Sequence, residues 1–355
     1  MYDLPMQREP TITKVKLGEA SMDRSIAERG ASAMTRRSAL LALSATMLSP
    51  GLMGQQKRPV IATRRLNNVM IAVSDVNRSA GFYEKLFGPP LRQGDAVVFR
   101  VGAGPHFFAL TAARSGAKPG YLSYGMTVAD FDAERTMRAL ADLGASGAQM
   151  KRRGDTPELF IPDADGIMIQ LQHTAYGYGS GPRGDILPRR PVPASRPVFE
   201  LKTINHVTLT IANGAREKAF YDAVFGLPIR VLQGTGVTLA IGEGTDGIVF
   251  NPTTNNPNAI PGINHVCFTI DNFDPNRVMG ILIANGFEPI ENGIPALIKP
   301  LTCRVRLRQR ANNGGGPTSP LGTAELYFAD PDNIPIQIQD VSYCGGSGWL
   351  GQICP

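Results

Sequence analysis

The sequence predicts an α+β protein of two tandem modules in which strands outnumber helices. Three observations predict it. One ordered set of segments occurs twice, the apolar period within each copy alternates between the strand and helix values, and a stretch rich in Gly, Pro and Arg separates the copies. The composition agrees: 355 residues, 43% hydrophobic, 19% charged and 7% aromatic, as in a globular protein and unlike collagen, a coiled coil or a disordered tail. At roughly 150 residues per domain the length fits two domains, each able to bury a core without staples.

Residues 1–56 read as an N-terminal extension. Arg36 and Arg37 precede an apolar run that ends in small and polar residues by Gln56, the order of an export signal, and the Arg pair resembles the twin-arginine type. The apolar run is too short to cross roughly 30 Å of hydrocarbon, and Pro50 and Gly51 interrupt it, so no permanent membrane anchor is expected. The expectation is a periplasmic or secreted bacterial protein, with Met34 as an alternative start. A short amphipathic helix with a chance Arg pair is the other reading.

Each module then follows one order. Leu66-Asn-Asn-Val-Met-Ile-Ala-Val recurs as Ile204-Asn-His-Val-Thr-Leu-Thr-Ile, with β-branched residues at the period of a half-buried strand. Residues 79–87 and 217–225 place Phe, Tyr, an aliphatic residue and Phe at helical spacing, and Gly88 or Gly226 supplies the stop. Strands broken by Gly and Pro come next. Ser123-Tyr-Gly-Met-Thr-Val-Ala-Asp-Phe-Asp matches His265-Val-Cys-Phe-Thr-Ile-Asp-Asn-Phe-Asp, each leading into a second helix over 135–144 or 277–286. Leu159-Phe-Ile-Pro-Asp-Ala-Asp-Gly-Ile-Met-Ile-Gln-Leu-Gln matches Leu326-Tyr-Phe-Ala-Asp-Pro-Asp-Asn-Ile-Pro-Ile-Gln-Ile-Gln, a final strand behind an Asp-x-Asp turn.

These matches set module 1 at 64–174, a linker at 175–201, module 2 at 202–341 and a Cys-containing tail at 342–355. Module 2 also carries an extra piece, 300–320, with a loop centred on Asn312-Asn313-Gly-Gly-Gly. The 36 basic and 30 acidic residues form no long like-charge block, which argues against a nucleic-acid partner. The four cysteines match no zinc module. In an oxidising compartment Cys344 and Cys354 are a disulfide candidate that pins the C-terminus and leaves Cys303 unpaired.

The strand Ile204-Asn-His-Val-Thr-Leu, the helix ending Phe-Tyr-Asp-x-Val-Phe-Gly-Leu, the strand Ile263-Asn-His-Val-Cys-Phe and the closing Tyr327-Phe-Ala-Asp-Pro-Asp resemble the vicinal oxygen chelate superfamily. That superfamily includes glyoxalase I, bleomycin-resistance proteins and extradiol dioxygenases. The resemblance covers both modules. It implies βαβββ units paired into curled mixed-sheet cups with helices outside, and a divalent metal in the cup on two His and a Glu. Matched residue by residue, module 2 offers His206, His265 and, in the Glu place, Gln337. Module 1 offers Asn68, Ser123 and Gln170, which give no imidazole and no carboxylate, so it is expected to be structural or a substrate wall.

Two His and one oxygen donor with open positions suit Fe(II), Mn(II) or Zn(II). The bland alternative is a pair of satisfied strand histidines. Cys267 is two residues from His265, as a supplementary ligand or an ordinary buried thiol. His106 and His173 occupy no ligand position. The resemblance to dioxygenases puts Tyr327 at a place they fill with Tyr, but module 2 has no third His for their proton relay. Glyoxalase-like lyase or isomerase chemistry needs a base, for which Glu325 and Glu243 are candidates. Arg304, Arg306, Arg308 and Arg310 share one strand face. Aimed at the cup they clamp an anionic substrate, and facing water they are a charged edge.

Two functions remain open at this point. One is an exported metalloenzyme, glyoxalase- or dioxygenase-like, acting on a small oxygenated molecule as a monomer or homodimer. The other is a ligand-sequestering protein of the bleomycin-resistance type that has lost its metal.

Overall fold

The computed structural model describes residues 61–189, 196–233, 236–253, 259–290, 299–309 and 322–354. The expected export signal, the Asn312-Asn313 loop centre and Arg310 lie outside them. No helix among the described residues is long and apolar enough to cross a membrane.

Module 1 comprises β1 (Thr63–Val73), α1 (Val76–Phe87), β2 (Leu91–Gln93), β3 (Ala96–Arg100), β4 (Phe107–Ala112), β5 (Gly120–Val128), α2 (Ala133–Asp142), β6 (Gln149–Arg153), β7 (Thr156–Pro162) and β8 (Met168–His173). Module 2 continues with β9 (Ile204–Ile211), α3 (Gly214–Phe225), β10 (Ile229–Gln233), β11 (Gly236–Ala240), β12 (Gly247–Pro252), β13 (Gly262–Ile270), α4 (Pro275–Ala284), β14 (Glu288–Pro289), β15 (Thr302–Arg308), β16 (Thr323–Ala329) and β17 (Pro335–Asp340). The strand orders are β2-β3-β4-β1-β5-β8-β7-β6 and β10-β11-β12-β9-β13-β17-β16-β15-β14. Each sheet is thus two βαβββ units joined through their first strands, the curled mixed sheet of the expected α+β fold.

The helices begin earlier than the apolar spacing alone predicts because side-chain caps set their starts. Asp75, Asp132, Asn213 and Asp274 each accept a hydrogen bond from a backbone N–H in the first turn. Alternation then sorts the strand faces. On β9, Val207, Leu209 and Ile211 join the core with the helix residues Tyr221, Val224 and Phe225. His206, Thr208 and Thr210 take the opposite face.

Two sequence expectations change. The expected linker begins later than Ala175, because residues 176–186 fold back on module 1: Tyr176 packs with Phe107 and Val98, and Ser180 bridges Ile186. Residues 343–353 make the same hairpin in module 2, with Ser347 bridging Ile353. The extra piece at 300–320 is not all insertion, since β15 runs through it as the counterpart of β6, pairing with β16 as β6 pairs with β7. Its Arg-Val-Arg-Leu alternation has the period of a strand, and module 2 is longer than module 1 both between α4 and β15 and between β15 and β16.

The Asp-x-Asp turns join the modules reciprocally. Asp330 and Asp332 of module 2 accept hydrogen bonds from Tyr83, Ser74 and Arg78 of module 1. Asp163 and Asp165 of module 1 accept from Tyr221, Ala212 and Arg216 of module 2.

Candidate metal centre

A single transverse row crosses the second sheet: Gly247, His206, Cys267, Gln337, Tyr327 and Arg304 stand opposite one another on β12, β9, β13, β17, β16 and β15. Laterally paired residues share a face, so this register brings His206, Gln337, Tyr327 and Arg304 to one cup. His265 stands beside the row opposite Thr208, and Glu325 opposite Arg306. The cup encloses about 260 Å³ and is lined by His206, His265, Gln337, Tyr327, Glu325 and the arginines 230, 304, 306 and 308 among others.

Asn205 and Asn264 orient the two imidazoles. Asn205 Nδ2 donates to the Tyr343 carbonyl at 2.7 Å, which turns its Oδ1 toward His206 Nδ1 at 2.8 Å. Asn264 Nδ2 donates to Thr210 Oγ1 at 3.3 Å, and its Oδ1 lies 2.8 Å from His265 Nδ1. Both Nδ1 atoms therefore carry the proton, and each ring offers Nε2 as its lone-pair nitrogen. The rings are 5.6 Å apart, edge to face. Burial pulls the His265 pKa down to about 4, so this imidazole is neutral at ordinary pH.

These residues fit a divalent cation through their donor chemistry. His265 Nε2 and Gln337 Oε1 are 2.9 Å apart, two lone-pair donors facing each other, with Thr208 Oγ1 3.1 Å from the same nitrogen. Adjacent ligands of one ion at bonds of about 2.1 Å subtend a similar edge. Among the described residues the buried Gln337 Nε2 has no hydrogen-bond partner, as when the amide is placed by its oxygen. Among them, too, no three His, Cys, Asp or Glu side chains form a metal-holding group. The donor set is two imidazoles and an amide, without a carboxylate.

Glu325 is buried and accepts from the Tyr327 hydroxyl at 2.9 Å and the Tyr343 hydroxyl at 3.2 Å, with Arg308 at 4.0 Å. Burial, reinforced by Glu325, pushes the Tyr327 hydroxyl pKa well up, so it stays protonated. Tyr327 stands edge-on to His265 at 5.2 Å, and Tyr343 stacks on His206 at 5.5 Å. Of the two candidate bases Glu243 is exposed in its turn and does not line the cup. Arg304 and Arg306 do line it, as does Arg308, so the described part of the Arg row faces the cup. Arg304 lies over the Tyr327 ring at 5.4 Å.

Cys267 is fully buried, and burial pushes its thiol pKa well up; it does not line the cup. Cys303 is buried and unpaired, and Cys344 and Cys354 form the expected disulfide. His106 and His173 stand apart from the cup. Sequence reasoning missed Tyr343, Thr208 and Arg230, and it missed the orienting role of Asn205 and Asn264. A repeated Tyr before a Gly-rich stretch, Tyr176 and Tyr343, was the signal for the first.

Module 1 repeats the row with different contents: Phe107, Asn68, Gly125, Gln170, Phe160 and Gln149. Asn68 and Gln170 hydrogen-bond each other, and Tyr176 donates to Glu158 at 2.5 Å as Tyr343 does to Glu325. Phe107 fills the place of Gly247, and Tyr178, 5.4 Å from its ring, that of Gly345. Both of those glycines line the module 2 cavity. The second cup is open where the first is plugged by two aromatic rings.

No protein-family model matches the chain, and no curated protein matches it. Solved structures do. The Mn(II)-bound glyoxalase from Novosphingobium aromaticivorans is 15% identical over 78% of this chain and 82% of its own, with a TM-score of 0.53. The 2,3-dioxygenase LapB from Pseudomonas sp. KL28 is 16% identical over 79% and 94%, at 0.53. Homoprotocatechuate 2,3-dioxygenase from Brevibacterium fuscum, in complex with 3,4-dihydroxyphenylacetate, is 16% identical over 80% and 83%, at 0.52. At these identities the likeness shows a shared fold.

Proposed function

We propose, from the vicinal oxygen chelate fold that this chain carries, that it is a metal-dependent enzyme acting on a small molecule with neighbouring oxygens in the module 2 cup. The observation that carries this reading is the convergence of His265 Nε2 and Gln337 Oε1 at 2.9 Å, with both histidines tied through Nδ1. His206, His265 and Gln337 would hold the ion, whose bound form supplies a Lewis acid that polarises a substrate oxygen. Mn is supported by the glyoxalase neighbour, and Fe and Zn suit the same donors.

The chain's own residues supply the rest. Arg304 and Arg306 orient an anionic arm of the substrate. Tyr327 stands edge-on to His265 with its hydroxyl held on Glu325. A proton taken from the substrate at the Tyr327 oxygen is balanced by transfer of the Tyr327 hydroxyl proton to the Glu325 carboxylate, and it returns by the reverse path. Phe107 and Tyr178 leave module 1 as a supporting wall. Lyase or isomerase chemistry requires only these groups. Export through the twin-arginine-type segment at residues 34–56 is part of the proposal, and the Cys344–Cys354 disulfide supports an oxidising compartment.

Elemental analysis of the full chain purified without chelator, beside a His206→Ala, His265→Ala double variant, tests the reading. Near-stoichiometric Fe, Mn or Zn in the parent and none in the variant is expected. A folded parent that takes up no metal on reconstitution, with or without an added chelating anion, would end it. The sequestering alternative, favoured by the neutral Gln337, would then stand.

A further inference from the structure

We infer that metal and substrate bind the module 2 cup as a coupled pair: the substrate is a carboxylate-bearing chelator, and its charge replaces the carboxylate that the donor set lacks. This deepens the reading of His206, His265 and Gln337 as the metal-holding group and rests on it.

The charges around the cup carry the inference. All three donors are neutral. Among the described lining residues there are four arginines and one carboxylate. That carboxylate, Glu325, already accepts from Tyr327 and Tyr343 and stands 4.0 Å from Arg308, so its charge is committed within the wall. Arg230, from the other end of the sheet, is held by the Thr245 and Gly244 carbonyls at 2.8 and 2.6 Å, which fix the guanidinium without neutralising it. Arg306 is half-buried and makes no ion pair among the described residues. A divalent cation entering alone meets this excess of positive charge in a partly desolvated cup.

Module 1 acts as an internal control. Its corresponding row on β6 reads Gln149, Lys151 and Arg153, and Arg153 is paired with Glu158 at 2.9 Å. Module 2 places Arg304, Arg306 and Arg308 there, and has Gly247 and Gly345 where Phe107 and Tyr178 plug the first cup. The same wall stands without either change, so stability does not account for them. The one added positive charge, Arg304 in the place of Gln149, and the added space together fit an anion. Planar guanidinium groups bind carboxylates by paired hydrogen bonds, while the neighbouring oxygens of the same molecule reach the metal. By linkage, whatever the anion adds to metal affinity the metal adds to anion affinity.

The test is a titration of the full, chelator-free chain with Mn(II), followed by paramagnetic resonance of the free ion, alone and with oxalate, oxamate or oxamide. These probes share neighbouring oxygens and carry two, one and no negative charges; solution complexes of Mn(II) with each are subtracted. Mn(II) affinity is expected to rise about tenfold or more with oxalate, less with oxamate and not with oxamide. Arg306→Ala, with folding checked by circular dichroism, is expected to remove most of the rise. Gln337→Glu is expected to tighten Mn(II) binding without any anion and to shrink the rise. Mn(II) bound equally well with all three probes or with none would overturn the coupling and leave the metal reading intact. No Mn(II) bound under any condition would overturn both, and oxalate binding measured by calorimetry would then identify a plain anion site.

Discussion

Asn205 and Asn264 decide what the two histidines can offer. Each amide has its N–H₂ end engaged elsewhere, on the Tyr343 carbonyl or the Thr210 hydroxyl, so its oxygen has to face an imidazole N–H. Removing that oxygen frees the ring to rotate or change tautomer, and loss of such an orienting partner typically costs about 10–100-fold in metal affinity. Asn205→Ala is therefore expected to weaken Mn(II) binding by about that factor. Urea unfolding should show a loss of about 1–3 kcal/mol from the stranded Tyr343 carbonyl. Unchanged Mn(II) affinity would sink the tautomer argument. The candidate donors were legible because His206 and His265 recur in the same Asn-His-Val setting, while Gln337 came from the resemblance of the closing strand alone. The role of Asn205 was not, because it depends on a carbonyl 138 residues away. The direction of the Arg row was likewise open: alternation puts Arg304 and Arg306 on one face, and only the register Tyr327–Arg304 shows that this is the cup face.

Among the elements, the hairpins at 176–186 and 343–353 form a fourth repeated block that composition concealed. Their Gly and Pro content reads as linker and tail, yet the same backbone bonds close both, Gly177 N to Gly184 O in one and Cys344 N to Gly351 O in the other. The glycines are required by close approach: a Cβ on Gly346 would stand 2.0 Å from the Ile353 carbonyl oxygen. In module 2 the hairpin carries Tyr343 onto His206 and is cross-linked by Cys344–Cys354, at positions where module 1 has Gly177 and Leu187 in contact. For so short a loop the chain-entropy model gives the cross-link about 2–3 kcal/mol. A Cys344→Ser, Cys354→Ser variant is expected to stay folded, since module 1 keeps the hairpin without a disulfide. Its Ser347 and Ile353 amides should exchange faster while those of Ser180 and Ile186 do not change, and the fluorescence of Trp349, the sole tryptophan, should shift. Equal exchange in both hairpins before and after reduction would show that the cross-link contributes nothing.

At the scale of the whole molecule, the two modules meet across buried carboxyl groups, and this sets how stability varies with pH. Burial raises Asp163 and Asp330 to about 6, although each accepts two backbone N–H groups of its own turn and a tyrosine hydroxyl from the other module. Glu217, where module 1 has Ser79, is fully buried near Asp163 and Asp165, and both its oxygens lack a hydrogen bond among the described residues. Burial first, then those two carboxylates, push it up to about 8. A carboxyl group with a raised folded pKa binds protons more tightly in the folded chain. Its stabilisation is complete below the unfolded value of about 4 and disappears as pH rises through the folded one. His265 acts in the opposite sense: lowered to about 4, it destabilises the fold as pH falls below about 6.5, which offsets the two aspartates between pH 4 and 6. From about pH 7.5 to 8.5 these compensating groups have finished titrating, and Glu217 alone among them still ionises. The metal-free parent is expected to lose stability across that window in urea unfolding. Glu217→Gln, which keeps the shape of the neutral acid, should give a flat profile and exceed the parent by about 1–3 kcal/mol at pH 8.5. Parallel profiles for parent and variant would mean that Glu217 ionises without cost at the junction, and that the modules are not held together through its neutral form.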